Sequence, residues 1–205
     1  MPQPIGKKIG PLAYVIFGSG GEDAITNAPD LAALAMRCIA SWTSVDYMLM
    51  LVYVRMLGGP EDKASTAYLA LETQSAKTSV ITAVGRRFLE PKVFRLLTAI
   101  LAIAKTNQKS RDKLAHHLWG WDNRLPNALL LGDPRDLVTG EGLRDCVFVY
   151  EKPDLEGIIA ANKRLFHFLS GFHMFLDKHP AYEDGSKFDR LCDEPEIRER
   201  LDRLA

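Results

Sequence analysis

The chain has 205 residues, 47% of them hydrophobic and 25% charged. That is enough for one well-buried core and lies outside the disordered, collagen-like and low-complexity ranges, so a single domain with ordered appendages is expected. Lys+Arg 26 against Asp+Glu 26 leaves no formal net charge, which excludes a molecule-wide polycation and confines any nucleic-acid contact to a local patch.

That patch is visible in the charge distribution. Residues 1–104 carry 10 basic and 8 acidic groups, residues 105–124 carry 5 and 2, and residues 125–205 carry 11 and 16. Cys38, Cys146 and Cys192 are odd in number and widely spaced with no CxxC, which argues against a disulfide framework or a zinc site and fits a reducing cytoplasm. Met1 to Lys8 has no apolar signal core, and the longest apolar stretch, Leu31 to Leu57, is interrupted by Arg37, Asp46 and Arg55, so no membrane span is expected.

Residues 1–28 read as an N-terminal arm. It holds a short strand at Leu12 to Phe17, a turn at Gly18-Ser-Gly-Gly-Glu-Asp, and Thr26 or Asn27 placed to cap the next helix. From Pro29, the residues Leu31, Leu34, Cys38, Val45, Leu49, Val52 and Met56 recur at helical spacing until Gly58-Gly59-Pro60, predicting one long helix with Trp42 in its core stripe. Glu61-Asp62 open a second helix towards Gln74, and Ser75 to Leu89 reads as a third helix or a kinked extension of the second.

Pro91 starts a stripe of Val93, Leu97, Ile100, Ala104, Asn107, Arg111, Leu114 and Leu118 that runs to Gly120, with Asn107 and Arg111 as polar residues on an otherwise apolar line. Residues 121–150 change character. Trp121 to Pro126 is turn chemistry, and Ala128–Leu131 and Cys146–Tyr150 are short β-like runs, a small hairpin-like excursion. Pro153 to Leu176 forms a last long helix, broken by His179-Pro180, and Glu194 to Leu204 a short helix in the charged tail. The fold class expected is all-α: an antiparallel bundle of four to five long helices over residues 29–180, with residues 181–205 as the tail.

The chemistry concentrates in Lys105-Thr-Asn-Gln-Lys-Ser-Arg111-Asp112-Lys113-Leu-Ala-His116-His117-Leu-Trp119-Gly120. On a straight helix Asp112 and His116 share a face, whereas Arg111 and His116 lie roughly 140° apart. Histidine exchanges a proton near neutral pH, arginine offers a fixed fork of donors to phosphate oxygens, and a carboxylate orients an imidazole. This set suits RNA cleavage, where the 2′-hydroxyl is a built-in nucleophile and no metal or other cofactor is needed.

The stretch Arg111-Asp-Lys-Leu-Ala-His116 resembles the R-x4-H motif of HEPN domains (higher eukaryotes and prokaryotes nucleotide-binding), in which the residue after Arg is polar. Leu118-Trp119-Gly120 resembles a continuation of the motif helix. A long first helix with Trp42 and Asp46 and a second helical stretch with Lys77 extend the similarity over residues 29–178. The resemblance implies an all-α bundle, commonly a homodimer whose two motifs meet in one cleft. Active members are metal-independent endoribonucleases of toxin–antitoxin, defence and RNA-processing systems. Carried over by position, Arg111 and His116 are the catalytic pair and Asp112 the supporting residue. Asp112 departs from the more usual Asn.

Lys109, Lys113 and Trp119 lie in the same basic stretch and are read as RNA contacts. Where the motif belongs to a set inhibited by a neighbouring protein, an antitoxin partner follows. The rival from another class is a non-catalytic helical dimerisation or binding module that keeps the motif as interface architecture. His116, His117, His167, His173 and His179 include no HExxH, and adjacent histidines on a helix point to different sides, so no metal site is expected. His173 and Asp177, four apart, read as a solvated face.

Overall fold

The computed structural model describes residues 1–9, 20–139, 143–178 and 185–204. The chain is mainly helical, with a small four-stranded antiparallel sheet. Ten helices occur among the described residues: α1 (Gly20–Asn27), α2 (Pro29–Leu57), α3 (Glu61–Leu69), α4 (Gln74–Phe88), α5 (Pro91–His116), α6 (Pro134–Thr139), α7 (Leu143–Cys146), α8 (Lys152–Leu176), α9 (Ser186–Asp193) and α10 (Pro195–Asp202). The strands are β1 (Gln3–Pro4), β2 (Leu118–Gly120), β3 (Ala128–Gly132) and β4 (Val147–Glu151), in spatial order β1-β4-β3-β2. Internal contacts group into two compact units, one of Met1–Trp42 with Asn107–Asn162 and one of Thr43–Thr106 with Lys163–Ala205.

In the first unit β3 is buried along its whole length, and its period-2 alternation divides two apolar clusters. Leu129 and Leu131 pack with Ala24, Leu31, Ala35 and Cys38 of the first two helices, Leu114 of α5 and Leu155 of α8. Ala128 and Leu130 face Ile5, Val147 and Val149, with Leu137 and Cys146 packed against them. β3 thus reads as a continuous apolar run because both its faces are covered. Ile5 lies just beyond β1, whose Gln3 and Pro4 pair with Val149 and Phe148.

The long helix at Pro29–Leu57 forms as the periodicity predicts, with Trp42 5% exposed. It stops at Gly58, whose φ of +63° is the left-handed conformation a side chain resists. The second and third helices are separate, because Thr73 accepts a bond from the Ala76 N–H at 3.1 Å and begins α4 afresh. In the second unit Asp46 of α2 accepts from Lys77 Nζ at 2.7 Å and from the Tyr68 hydroxyl at 3.1 Å, beneath a Tyr53–Tyr68 ring pair.

The structure differs from the sequence reading in several places. Residues from Gly20 onwards are helical, although Gly18–Asp23 reads as a turn, because burial of Ala24 in the first unit's core outweighs the poor helix propensity of glycine. Asn27 does not cap α2; its amide donates back to the Asp23 carbonyl at 2.8 Å and ends α1.

Leu118–Gly120 is a strand, not the end of α5. Its three residues pair with Gly132, Leu131 and Leu130, and the Trp119 indole N–H donates to the Leu114 carbonyl at 3.0 Å, occupying an acceptor that the helix end leaves open. The excursion is larger than a hairpin, since α6 and α7 separate β3 from β4. The tail holds α9 as well as the expected α10. The strand expected at Leu12–Phe17 and the His179-Pro180 break lie outside the described residues.

Candidate functional site

At the C-terminal end of α5 a cleft of about 620 Å³ opens in the first unit. It is lined from α5 by Lys109, Asp112, Lys113 and His116, from the residue after the helix by His117, and from the loop and helix after β3 by Asp133, Arg135 and Asp136, with Cys146 and Phe148 as its apolar side. His116 is exposed, and the Lys113 ammonium lies 4.5 Å from the centre of the Phe148 ring.

The two adjacent histidines share this cleft, contrary to the expectation of opposite sides. His116 is the last residue of α5 and His117 stands just beyond its end. His117 still donates its backbone N–H to the Lys113 carbonyl at 3.0 Å. Its Nδ1 is buried without a hydrogen-bond partner among the described residues. Burial holds its pKa below the ordinary imidazole value, with the positive charges of Lys113 and Arg135 acting the same way and Asp133 and Asp136 opposing.

Asp112 is positioned by two neighbours. Gln108 donates to its Oδ2 at 3.0 Å and Arg111 Nη1 to its Oδ1 at 3.1 Å, leaving the carboxylate on the wall of the cleft. Arg111 itself does not line the cleft, and its Nε is buried without a partner among the described residues. The structure therefore brings Lys109, Asp112, Lys113 and His116 together and places Arg111 behind Asp112. Trp119 is turned to the core: its indole N–H is committed to Leu114 and its ring packs against the cluster of Leu114, Leu129 and Leu131.

Sequence reasoning passed over the opposite wall, Asp133 and Arg135. Asp133 accepts from the Arg135 backbone N–H at 3.0 Å and from its guanidinium at 3.1 and 2.7 Å, and these bonds hold the carboxyl well below the usual range. The same Asp-x-Arg spacing makes the same fork at Asp122 and Arg124, so the signal was present twice in the chain. Burial, together with Asp136, raises the Cys146 thiol, which makes it a poor nucleophile. Among the described residues no group of three or more His, Cys, Asp or Glu is set to hold a metal ion, and no helix is long and apolar enough to cross a membrane.

No protein-family model, curated protein or solved structure matches the chain.

Proposed function

We propose that the chain is a metal-independent endoribonuclease of the HEPN type. The observation that carries this reading is the convergence of two imidazoles, His116 and His117, with Asp112, Lys109 and Lys113 on one open cleft. Cleaving RNA through its 2′-hydroxyl requires one group to take the hydroxyl proton as oxygen attacks phosphorus, and another to return a proton to the departing 5′-oxygen. Two imidazoles of differing environment meet that need. His117, held towards its neutral form, accepts the proton, and His116, exposed on the same cleft, supplies the other. Lys109 and Lys113 meet the phosphate charge, and Asp112 orients His116.

In this reading Arg111 is a positioning residue that acts through Asp112, a departure from the phosphate clamp implied by the resemblance. The active form in this reading is a homodimer, as the resemblance to HEPN domains implies. A partner protein that covers the cleft acts as antitoxin.

The test is incubation of the purified chain with single-stranded RNA in excess EDTA. Cleavage is expected from the wild type, lost about 100-fold or more in His116→Ala and in His117→Ala. Absence of cleavage by a folded wild type, or cleavage unchanged in both variants, refutes the reading. The Arg111–Asp112 pair favours a second reading, a non-catalytic binding or dimerisation module. There Arg111→Ala disrupts assembly, seen by sedimentation, with no activity to lose.

A further inference from the structure

The wall opposite α5 carries a guanidinium held in one orientation. The Arg135 side chain lines the cleft and is 88% exposed, whereas that of Asp133, which holds it, is 18% exposed. Asp133 takes both side-chain bonds from one edge of the group, Nε at 3.1 Å and Nη2 at 2.7 Å, and accepts the Arg135 backbone N–H as well. A guanidinium presents five N–H donors in a rigid plane, so a carboxylate on one edge leaves a second two-donor edge, formed by Nη1 and the outer hydrogen of Nη2. At this exposure that edge is open to solvent. The side-chain ordering that a long surface arginine ordinarily loses on binding is already met within the fold.

Lys113, on α5, is steadied too, its ammonium lying 4.5 Å from the centre of the Phe148 ring. Lys113 and Arg135 are both close enough to His117 for their charges to lower its pKa. Two held cations thus come from separate elements to the neighbourhood of one imidazole. Asp112, Asp133 and Asp136 also line the cleft and balance Lys109, Lys113 and Arg135, so an anion is drawn by aimed donors rather than by a broad positive field. A phosphodiester suits such a pair, since its two free oxygens match the arginine fork and its charge is met by the ammonium. Asp122 and Arg124 make the same fork, yet neither lines the cleft, so the chain contains its own control.

We propose that Arg135 is the phosphate-binding arginine of this cleft, its outer edge engaging a phosphodiester of single-stranded RNA together with Lys113. It takes the role that the resemblance assigns to Arg111. The assignment rests on the reading of the cleft as an RNA site, but not on the cleavage chemistry.

The test is binding of a fluorescent 2′-O-methyl oligouridylate, whose blocked 2′-oxygen cannot attack phosphorus, followed by anisotropy in EDTA over a series of salt concentrations. Arg135→Ala is expected to weaken binding about tenfold and to reduce the slope of log affinity against log salt by about 0.7, the value for one phosphate contact on a single strand. Arg135→Lys keeps the charge without the fork and is expected to remain weaker than the wild type. Arg124→Ala, which breaks the same fork away from the cleft, is expected to leave binding unchanged. Circular dichroism checks the fold of each variant. Binding unchanged in folded Arg135→Ala, full recovery in Arg135→Lys, equal weakening by Arg124→Ala, or no saturable binding by the folded wild type overturns the proposal. If the wild type binds with the expected differences yet cleaves no RNA, the nuclease reading fails and Arg135 keeps its role; cleavage that Arg135→Ala leaves untouched has the opposite meaning.

Discussion

In the second compact unit Asp46 accepts from Lys77 and from the Tyr68 hydroxyl, while the Lys77 ammonium also lies 5.0 Å from the Tyr68 ring centre. In the first unit Asp112 accepts from Arg111 and Gln108. The pairs match in chemistry but differ in what lies beyond them: Asp46 faces a tyrosine that is 0% exposed, whereas Asp112 faces a cleft with two histidines. A carboxylate held against a buried ring contributes to stability; one that keeps a face on an open cleft is available for chemistry. An aspartate bound to a cation at a helix surface therefore does not by itself reveal which role it takes.

Removing each carboxylate in turn separates the two roles. Asp46→Ala is expected to destabilise by about 2 kcal/mol in urea unfolding, less than a fully buried pair because Asp46 keeps 28% of its side-chain exposure, while leaving Lys77 and Tyr68 without their acceptor. Tyr68→Phe removes one neutral hydrogen bond to the same carboxylate, and a loss of about 1 kcal/mol is expected by the same measurement. Asp112→Ala is expected to change stability by no more than about 0.5 kcal/mol, its pair with Arg111 being more exposed, while RNA cleavage falls steeply. Equal destabilisation by Asp46→Ala and Asp112→Ala would erase the distinction.

The smallest expected effect is a pH dependence. Burial lowers the pKa of both His117 and His173 in the folded chain, so below about pH 6.5 the unfolded state takes up protons that the native state refuses. Stability contributed by the neutral imidazoles is fully present above that pH. It declines as pH falls, and the decline ends once the folded-state pKa is passed. His117→Gln is expected to flatten the first unit's share of that slope, and His173→Gln the share from the second unit, where His173 shares a cleft with the Arg55–Asp177 ion pair. A slope unchanged in both variants contradicts the assignment.

The long helices are legible in the order of residues, because their apolar residues repeat at helical spacing and their boundaries carry local signals: Pro29 and Gly58 for α2, Pro91 for the start of α5, and Pro153-Asp154, one residue inside the observed start, for α8. Ala128–Leu131 and Cys146–Tyr150 are legible as β-like, although Cys146 ends α7 and the strand begins at Val147, and Lys109, Asp112, Lys113 and His116 lie on one short stretch of chain.

The remaining features depend on contacts between distant parts of the chain. Leu118 to Gly120 continues a helical stripe on paper, yet pairing with β3 and the Trp119–Leu114 bond end α5 at His116. That ending brings His117 into the cleft and turns Trp119 away from it. The pairing of Ile5's neighbours Gln3 and Pro4 with β4 and the wall formed by Asp133 and Arg135 both join residues far apart in the chain. Helical periodicity is set by neighbours within about four residues, whereas strand partners and cavity walls are chosen by which distant surfaces bury the most apolar area while keeping backbone groups paired.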